Sequence, residues 1–148
     1  VQTCALPIYI DKLIEAEEES TINLIFKNKG EVYFRQLESK ITLRALKTHN
    51  SVIALGGGAF LNKSIRSSSK KTSISFWLDV NLDVLTKRLT KTDKRPLLYK
   101  KNIDDTIKQI YLEREKIYNK ADYRIKCNFL KTNDIVNKIV KLYEKSSN

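Results

Sequence analysis

The chain has 148 residues, of which 41% are hydrophobic and 30% are charged, and its mean hydropathy is −0.40. This length suits one compact domain, and no apolar stretch approaches the roughly 20 residues that a membrane-spanning helix requires. The formal net charge of +11 has three interpretations, which are basic residues spread over solvated faces, a site for anionic ligands, and nucleic-acid binding. The lysine pairs at 70–71 and 100–101 are not interleaved with aromatic residues, so we expect neither a nucleic-acid nor a membrane partner.

Cysteine and histidine are sparse. The chain has two cysteines, Cys4 and Cys127, without a Cys-x-x-Cys pair, and a single histidine, His49. This pattern predicts neither a disulfide framework nor a zinc site. It fits a reducing compartment, and we therefore expect a cytoplasmic protein.

The first eight residues do not look like the rest of the chain. Residues 1–8 resemble the in-frame translation of a DNA sequencing-library adapter, so we interpret them as non-native and leave them out of the predicted fold. The alternative is an ordinary N-terminal strand. Pro7 argues weakly against that alternative, because proline is rare in central strands.

The first half of the chain is predicted to be mainly helical. Apolar spacing indicates short helices over residues 11–18 and 21–29, the second one ending at Gly30, and a longer helix over residues 31–47. The β-branched run at residues 51–55 indicates a buried strand that ends at three consecutive glycines.

The second half alternates strands and helices. The expected elements are a helix that becomes a Ser/Lys-rich loop at 61–69, buried strands at 73–80 and 123–127, helices at 82–89, 103–118 and 134–143, and a mobile basic loop at 90–98. This alternation implies an α/β sheet with helices on both faces.

Two arginines on separate predicted helices are candidates for carboxylate binding. The planar forks of Arg35 and Arg114 can each hold a carboxylate through two parallel hydrogen bonds. A surface ion pair is the alternative for both. Glu31 and Glu38 stand at i−4 and i+3 from Arg35, and Arg114 has glutamates on either side.

Three further features carry chemistry, each beside a plainer reading. Asp11 is a short carboxylate at the start of a helix, where the plainer reading is an N-cap or first-turn acid. The glycines at 56–58 let the backbone approach a ligand and offer N–H donors, although such runs also form plain turns. Arg95, in the sequence Arg-Pro-Leu-Leu, can close over a reacting phosphate or belong to a solvated loop.

In this order and at these spacings the motifs resemble the shikimate kinase family. They are Asp11, Glu-Val-Tyr-Phe-Arg at 31–35, Ala-Leu-Gly-Gly-Gly-Ala at 54–59, Arg-Pro-Leu-Leu at 95–98 and Glu-Arg at 113–114. The resemblance implies a three-layer α/β/α P-loop kinase fold with a parallel sheet, as a single domain over residues 9–148 with a lid loop at about 90–99. It also implies transfer of the γ-phosphoryl group of ATP, with Mg²⁺, to the 3-hydroxyl of shikimate on the route to chorismate and the aromatic amino acids.

The resemblance also assigns roles to individual residues. Asp11 orients the acceptor hydroxyl, and Arg95 stabilises the transferring charge. The acceptor-binding set is Asp11, Arg35, Gly56, Gly57, Gly58 and Arg114, flanked by Phe26 and Phe34, and the ATP-binding set is Arg88, Arg95 and Pro96. We expect a monomer whose partners are shikimate and ATP.

The sequence departs from the family pattern at its start. The Gly-x-x-x-x-Gly-Lys-Ser/Thr phosphate loop does not occur in it, so we expect a truncated and inactive chain whose metal ligands lie in a missing segment. The resemblance implies that the first strand, at the centre of the parallel sheet, is missing too, which would leave two strand edges unpaired and the chain marginally stable. The family motif Asp-x-Asp reads Tyr9-Ile10-Asp11 here, and we hypothesise that the natural residue at position 9 is aspartate. The alternatives to a shikimate kinase are a loop-less relative that binds shikimate without catalysis, a gluconate kinase-like enzyme and a nucleic-acid-binding module.

Overall fold

The computed structural model describes residues 5–89 and 103–146, and the chain divides into two compact units, Val1–Ser73 and Ile74–Asn148. The first unit contains β1 (Leu6–Tyr9), α1 (Ile10–Glu18), α2 (Ile22–Ala45), β2 (Ser51–Ala54), a 3-10 turn (Ala59–Leu61) and α3 (Lys63–Thr72). The second contains β3 (Phe76–Asp79), α4 (Leu82–Leu89), α5 (Ile103–Tyr118), β4 (Tyr123–Lys126) and α6 (Thr132–Ser146).

Each unit contains a pair of parallel strands. In the first unit β1 lies beside β2, with Leu6 opposite Ser51 and Tyr9 opposite Ala54. In the second unit β3 lies beside β4, in register from Phe76 opposite Tyr123. Because parallel strands end at the same edge of their sheet, the start of α1 and the glycine run after β2 lie at one edge of the first unit.

The exclusion of residues 1–8 from the fold is wrong for residues 6–8, which form β1 together with Tyr9. The strand is anchored at its start by the backbone N–H of Leu6, which donates to the carbonyl of Asn50 at 2.8 Å. Pro7 is tolerated because the described part of the sheet has two strands, so β1 pairs on one side. That residues 1–8 are non-native stays a prediction.

The strands are less buried than expected. Val52 on β2 is 65% exposed and Leu78 on β3 is 48% exposed. The neighbouring Ile53 packs against the core formed by α1 and α2. The helices of the first unit therefore cover one face of β2, and the alternation of strand side chains leaves Val52 on the other face.

Helix α2 is the main wall of the first core. Thr21 caps it by accepting a hydrogen bond from the Leu24 N–H, and Gly30, the expected end of the first predicted helix, breaks it with φ 80° and ψ 173°. The core residues, which recur at helical spacing, are Ile10 and Ile14 from α1 and Ile25, Phe34, Leu37, Ile41 and Ala45 from α2. This core holds the first turn of α1 beside the middle of α2.

Helix α3 is longer than its sequence suggests. The expected Ser/Lys-rich loop is wrong, since α3 continues to Thr72. The helix begins where the side chain of Asn62 accepts from the backbone N–H groups of Ser64 and Ile65, and Ser69, in the segment expected to be a loop, is buried within it. Ile65 then anchors the helix through a buried side chain.

In the second unit α4 and α5 coincide with the predicted helices over residues 82–89 and 103–118. Ile107 of α5 and Ile125 of β4 are buried. Phe76 stacks on Tyr123 across the strand pair, with ring centroids 5.4 Å apart. The predicted loop over residues 90–98 lies outside the described residues. Among the described helices, none is long and apolar enough to cross a membrane.

Candidate functional site

Two carboxylates converge on the backbone at Gly56. Asp11 lies in the first turn of α1, directly after β1, and Gly56 follows β2 at the same edge. A β-carbon at Gly56 would lie 2.8 Å from Oδ1 of Asp11 and 2.9 Å from Oε1 of Glu38. Any larger residue at position 56 would therefore displace both carboxylates, one of which the sequence resemblance assigns to the acceptor hydroxyl.

Arg35 is held by a buried carboxylate one helical turn away. Its Nη1 donates to Oε2 of Glu38 at 2.8 Å, and the Glu38 side chain is only 3% exposed, against 31% for Arg35. A buried charge is stable only when it is paired, so Glu38 ties the guanidinium to one position. The ion pair proposed as the alternative for Arg35 is therefore present.

Glu31 touches the opposite edge of the same guanidinium. Its Oε1 lies 3.4 Å from both Nε and Nη2 of Arg35, and the Glu31 side chain is 51% exposed. Long, exposed contacts of this kind contribute little stability. The Nε–Nη2 edge is the one that binds a carboxylate bidentately, so an incoming carboxylate has only this weak contact to replace.

The Arg35 guanidinium packs directly against the glycine run. A β-carbon at Gly58 would lie 2.2 Å from Nη1 and 2.7 Å from Cζ of Arg35. Gly58 has φ −107° and ψ −17°, a conformation open to other residues, so space rather than backbone geometry requires glycine here. Gly57 lies exposed between the two crowded glycines.

The two phenylalanines assigned to the pocket are part of the core. The ring centroids of Phe26 and Phe34 are 4.5 Å apart, and Phe34 is 4% exposed. Cζ of Arg35 lies 5.2 Å from the Phe34 ring centroid, within range of a cation–π contact. Phe34 is therefore both a core residue and a contact of the Arg35 guanidinium.

An open groove adjoins Arg35 on the surface of the first unit. Its volume is about 640 Å³, and its lining residues are Glu31, Val32, Arg35, Gln36, Ser39 and Asn62. The side-chain amide of Asn62 donates to Ser39 Oγ at 3.2 Å, which links α3 to α2 along the groove floor. These side chains offer hydrogen-bonding groups next to Arg35.

The remaining predicted site residues belong to the second unit. Arg88 lies in the last turn of α4 with an exposed side chain, and Arg114 lies on α5 with a half-buried one. Arg95 and Pro96 lie outside the described residues. The structure thus brings together Asp11, Arg35 and the glycine run, and it leaves the ATP-binding assignments as predictions.

Glu38 is the site residue whose role sequence reasoning missed. Its i+3 spacing from Arg35 indicated an ion pair, but spacing alone carries no signal of burial. Among the described residues, no group of three or more histidine, cysteine, aspartate or glutamate side chains could hold a metal ion.

A family model described as shikimate kinase matches residues 7–144. The chain belongs to the shikimate kinase family. Shikimate kinase from Bartonella henselae (strain Houston 1) is 41% identical over 121 residues, which is 81% of this chain and 58% of that protein. Shikimate kinase from Persephonella marina is 40% identical over 131 residues, or 88% of this chain and 79% of that protein. The chain therefore spans less than two thirds of the Bartonella protein.

Solved structures agree with the family assignment. Shikimate kinase from Acinetobacter baumannii in complex with shikimate matches with a TM-score of 0.90 at 27% identity, covering 96% of this chain and 80% of that one. The Aquifex aeolicus enzyme matches with a TM-score of 0.84 at 30% identity, covering 97% and 83%. The predicted α/β P-loop kinase fold with parallel strands is confirmed.

Proposed function

We propose that this chain binds shikimate, and that it serves ATP-dependent phosphorylation of the 3-hydroxyl group of shikimate. One observation carries the proposal: the Arg35 guanidinium is fixed between Glu38 and Gly58 at the sheet edge where Asp11 also lies. A carboxylate and a hydroxyl of one small ring compound are the groups that an arginine and an aspartate bind best.

The carboxylate of the acceptor is assigned to the Nε–Nη2 edge of Arg35. The exposed Glu31 contacts at 3.4 Å give way to it, while the 2.8 Å hydrogen bond to Glu38 holds the opposite side of the guanidinium in place. The ligand therefore binds an arginine that is already oriented, and little side-chain entropy is lost on binding. The backbone N–H of Gly57 is the proposed donor to the ring.

Asp11 is the proposed general base. A carboxylate in hydrogen-bonding reach of the attacking hydroxyl accepts its proton as the phosphoryl group transfers. Phosphoryl transfer otherwise depends on positioning and positive charge. By the sequence resemblance, the proposed ATP-binding residues are Arg88, Arg95 and Pro96. The same resemblance assigns Arg114 to the acceptor carboxylate.

ATP is the proposed phosphoryl donor and Mg²⁺ the proposed metal, which would neutralise charge on the donor phosphates when bound. The described residues do not fit a metal site, so we assign no Mg²⁺ ligand and route no step through the ion. We further propose a monomer that works in the cytoplasm, with no nucleic-acid or membrane partner.

A comparison of two arginines on the same helix tests the binding proposal. Arg35→Ala removes the proposed carboxylate ligand, whereas Arg44→Ala removes a 59% exposed arginine that pairs with Glu17 outside the site. Calorimetric titration with shikimate should show at least about 100-fold weaker binding for Arg35→Ala, as expected for loss of a charge-assisted bidentate contact, and unchanged binding for Arg44→Ala. Equal affinities in the two variants would reject the site.

Turnover is tested separately from binding. With ATP, Mg²⁺ and shikimate present, shikimate-dependent release of ADP that is lost in Asp11→Asn would support phosphoryl transfer. Binding that requires Arg35 but gives no such ADP release would limit the function of this chain to shikimate binding.

A further inference from the structure

The carboxylate of Glu31 lies on the same edge of Arg35 that the acceptor carboxylate is proposed to use. Its Oε1 is 3.4 Å from both Nε and Nη2 of Arg35, so a single oxygen spans the two donors. A carboxylate bound bidentately would place one oxygen on each of these donors. Glu31 and the acceptor therefore need the same two N–H groups.

The helix tethers Glu31 to this place. Glu31 is the first residue after the break of α2 at Gly30, and Arg35 follows it by four residues, so their side chains are neighbours on one face of the helix. A tethered group competes at a high effective concentration that does not depend on dilution. The Glu31 side chain is 51% exposed, so it can leave the arginine for water without becoming a buried charge.

The position of Arg35 does not depend on Glu31. Nη1 of Arg35 donates to the buried carboxylate of Glu38 at 2.8 Å, and Cζ lies 5.2 Å from the ring centroid of Phe34. The guanidinium also packs against the backbone at Gly58. These contacts hold the arginine from other sides, so removing the Glu31 carboxylate would free the Nε–Nη2 edge without releasing the guanidinium.

We propose that Glu31 is an internal competitor of the acceptor carboxylate for Arg35, and that it limits how tightly the site holds carboxylated ligands. This inference rests on the proposed function, in which Arg35 binds that carboxylate. An exposed ion pair of ordinary strength leaves the arginine edge free in about one sixth to two fifths of the molecules, and the apparent affinity for shikimate is reduced by that fraction. A product phosphorylated on a hydroxyl keeps the same carboxylate, so the competition also favours its release.

The plainer role for Glu31 is structural. An acid in the first turn after the helix break interacts favourably with the helix N-terminus, and its ion pair with Arg35 at i+4 supports the helix. That role predicts a lower melting temperature when the charge is removed, and no gain in ligand affinity. The competitor role predicts tighter binding, so the direction of the change in affinity separates the two.

Two glutamate-to-glutamine changes form a matched test. Glu31→Gln removes the competing charge, whereas Glu17→Gln removes the same charge from a glutamate of the same unit that pairs with Lys40 and Arg44. The wild type and each variant are titrated by calorimetry with shikimate and with its methyl ester, which lacks the carboxylate charge. Thermal unfolding followed by circular dichroism checks that each variant is folded.

The expected result is a gain in affinity that is selective for the carboxylate. Glu31→Gln should bind shikimate about two- to sixfold more tightly, because the arginine edge is then free in all molecules, and should bind the methyl ester with wild-type affinity. Glu17→Gln should change neither affinity. Unchanged or weaker shikimate binding in Glu31→Gln would overturn the proposal. The same gain for acid and ester, or the same gain in Glu17→Gln, would also overturn it, because the cause would then lie outside the arginine edge.

Arg35→Ala separates this inference from the function on which it rests. If Arg35→Ala weakens shikimate binding and Glu31→Gln does not tighten it, the competitor proposal alone fails. If Arg35→Ala keeps the wild-type affinity, the proposed function fails, and the competitor proposal fails with it. In the double variant, Glu31→Gln should have no further effect, because the competition requires Arg35. A gain from Glu31→Gln that persists without Arg35 would contradict the proposal.

Discussion

Replacing Gly58 with alanine tests whether ligand binding depends on the position of Arg35. The new β-carbon would lie 2.2 Å from Nη1 and 2.7 Å from Cζ of Arg35. Non-bonded carbon atoms rest at about 3.5 Å or more, so the guanidinium has to move by roughly 1 Å. That movement takes Nη1 out of the position from which it donates to Glu38 at 2.8 Å.

The expected effect is on binding. The clashing atoms are the end of a flexible side chain, and the backbone of Gly58 is open to alanine, so the variant should fold. Its melting temperature should fall, because the buried carboxylate of Glu38 loses its 2.8 Å contact with Arg35. Shikimate affinity, measured by calorimetry, should fall 10- to 100-fold, because misplacing a binding group by about 1 Å costs up to roughly two orders of magnitude.

Gly30→Ala is the matched control, because it should lower stability without moving Arg35. Nothing lies within 4 Å of a β-carbon at Gly30, but its φ of 80° and ψ of 173° belong to a region that is essentially restricted to glycine. This variant should lose about 1–3 kcal/mol of stability and keep its shikimate affinity. Wild-type affinity in Gly58→Ala would refute the assignment of Arg35 to the ligand.

Three further changes test packing, capping and charge in the first unit. The buried hydroxyl of Thr42 has no hydrogen-bond partner in the described structure, so Thr42→Val should raise the free energy of unfolding by about 1 kcal/mol; an unchanged urea midpoint would contradict this. Tyr9 occupies the N-cap of α1 without a side-chain cap bond, so Tyr9→Asp should raise the free energy of unfolding by about 0.5–1 kcal/mol in the same urea assay. A lower free energy of unfolding would contradict this prediction. Hydrogen bonds from Lys29 and then Tyr33 hold the pKa of Glu18 below its usual 4.5, which stabilises the fold above that pH and is lost as the pH falls through the lowered pKa. Glu18→Gln should therefore flatten the decline of the melting temperature between about pH 5 and pH 3, and an unchanged decline would show that this carboxylate does not contribute.

The helices are predictable because their signals are local. Apolar spacing locates α4 and α5, and Thr21 and Gly30 mark the start and the break of α2 as expected. The strands are harder to predict because their burial depends on what covers them. Val52 is exposed although it stands in a β-branched run that indicates a buried strand.

The site is predictable only as a set of candidates. Motif order selects Asp11, Arg35 and the glycine run, but it does not show that Glu38 is buried, which depends on the space left by Gly56. Asp79 in the second unit accepts hydrogen bonds from Tyr111 and Arg124, which lie 32 and 45 positions away in the sequence. A contact between such distant residues leaves no periodic signal in a single sequence.

The most direct test of the central claim is a calorimetric titration of the wild-type chain with shikimate, in parallel with gluconate. The account predicts saturable binding of one shikimate per chain and much weaker binding of gluconate, because the proposed site uses Arg35 for a carboxylate and Asp11 for a hydroxyl held on the same ring. No heat of binding with shikimate, from protein whose thermal unfolding is cooperative, or a preference for gluconate, would contradict it.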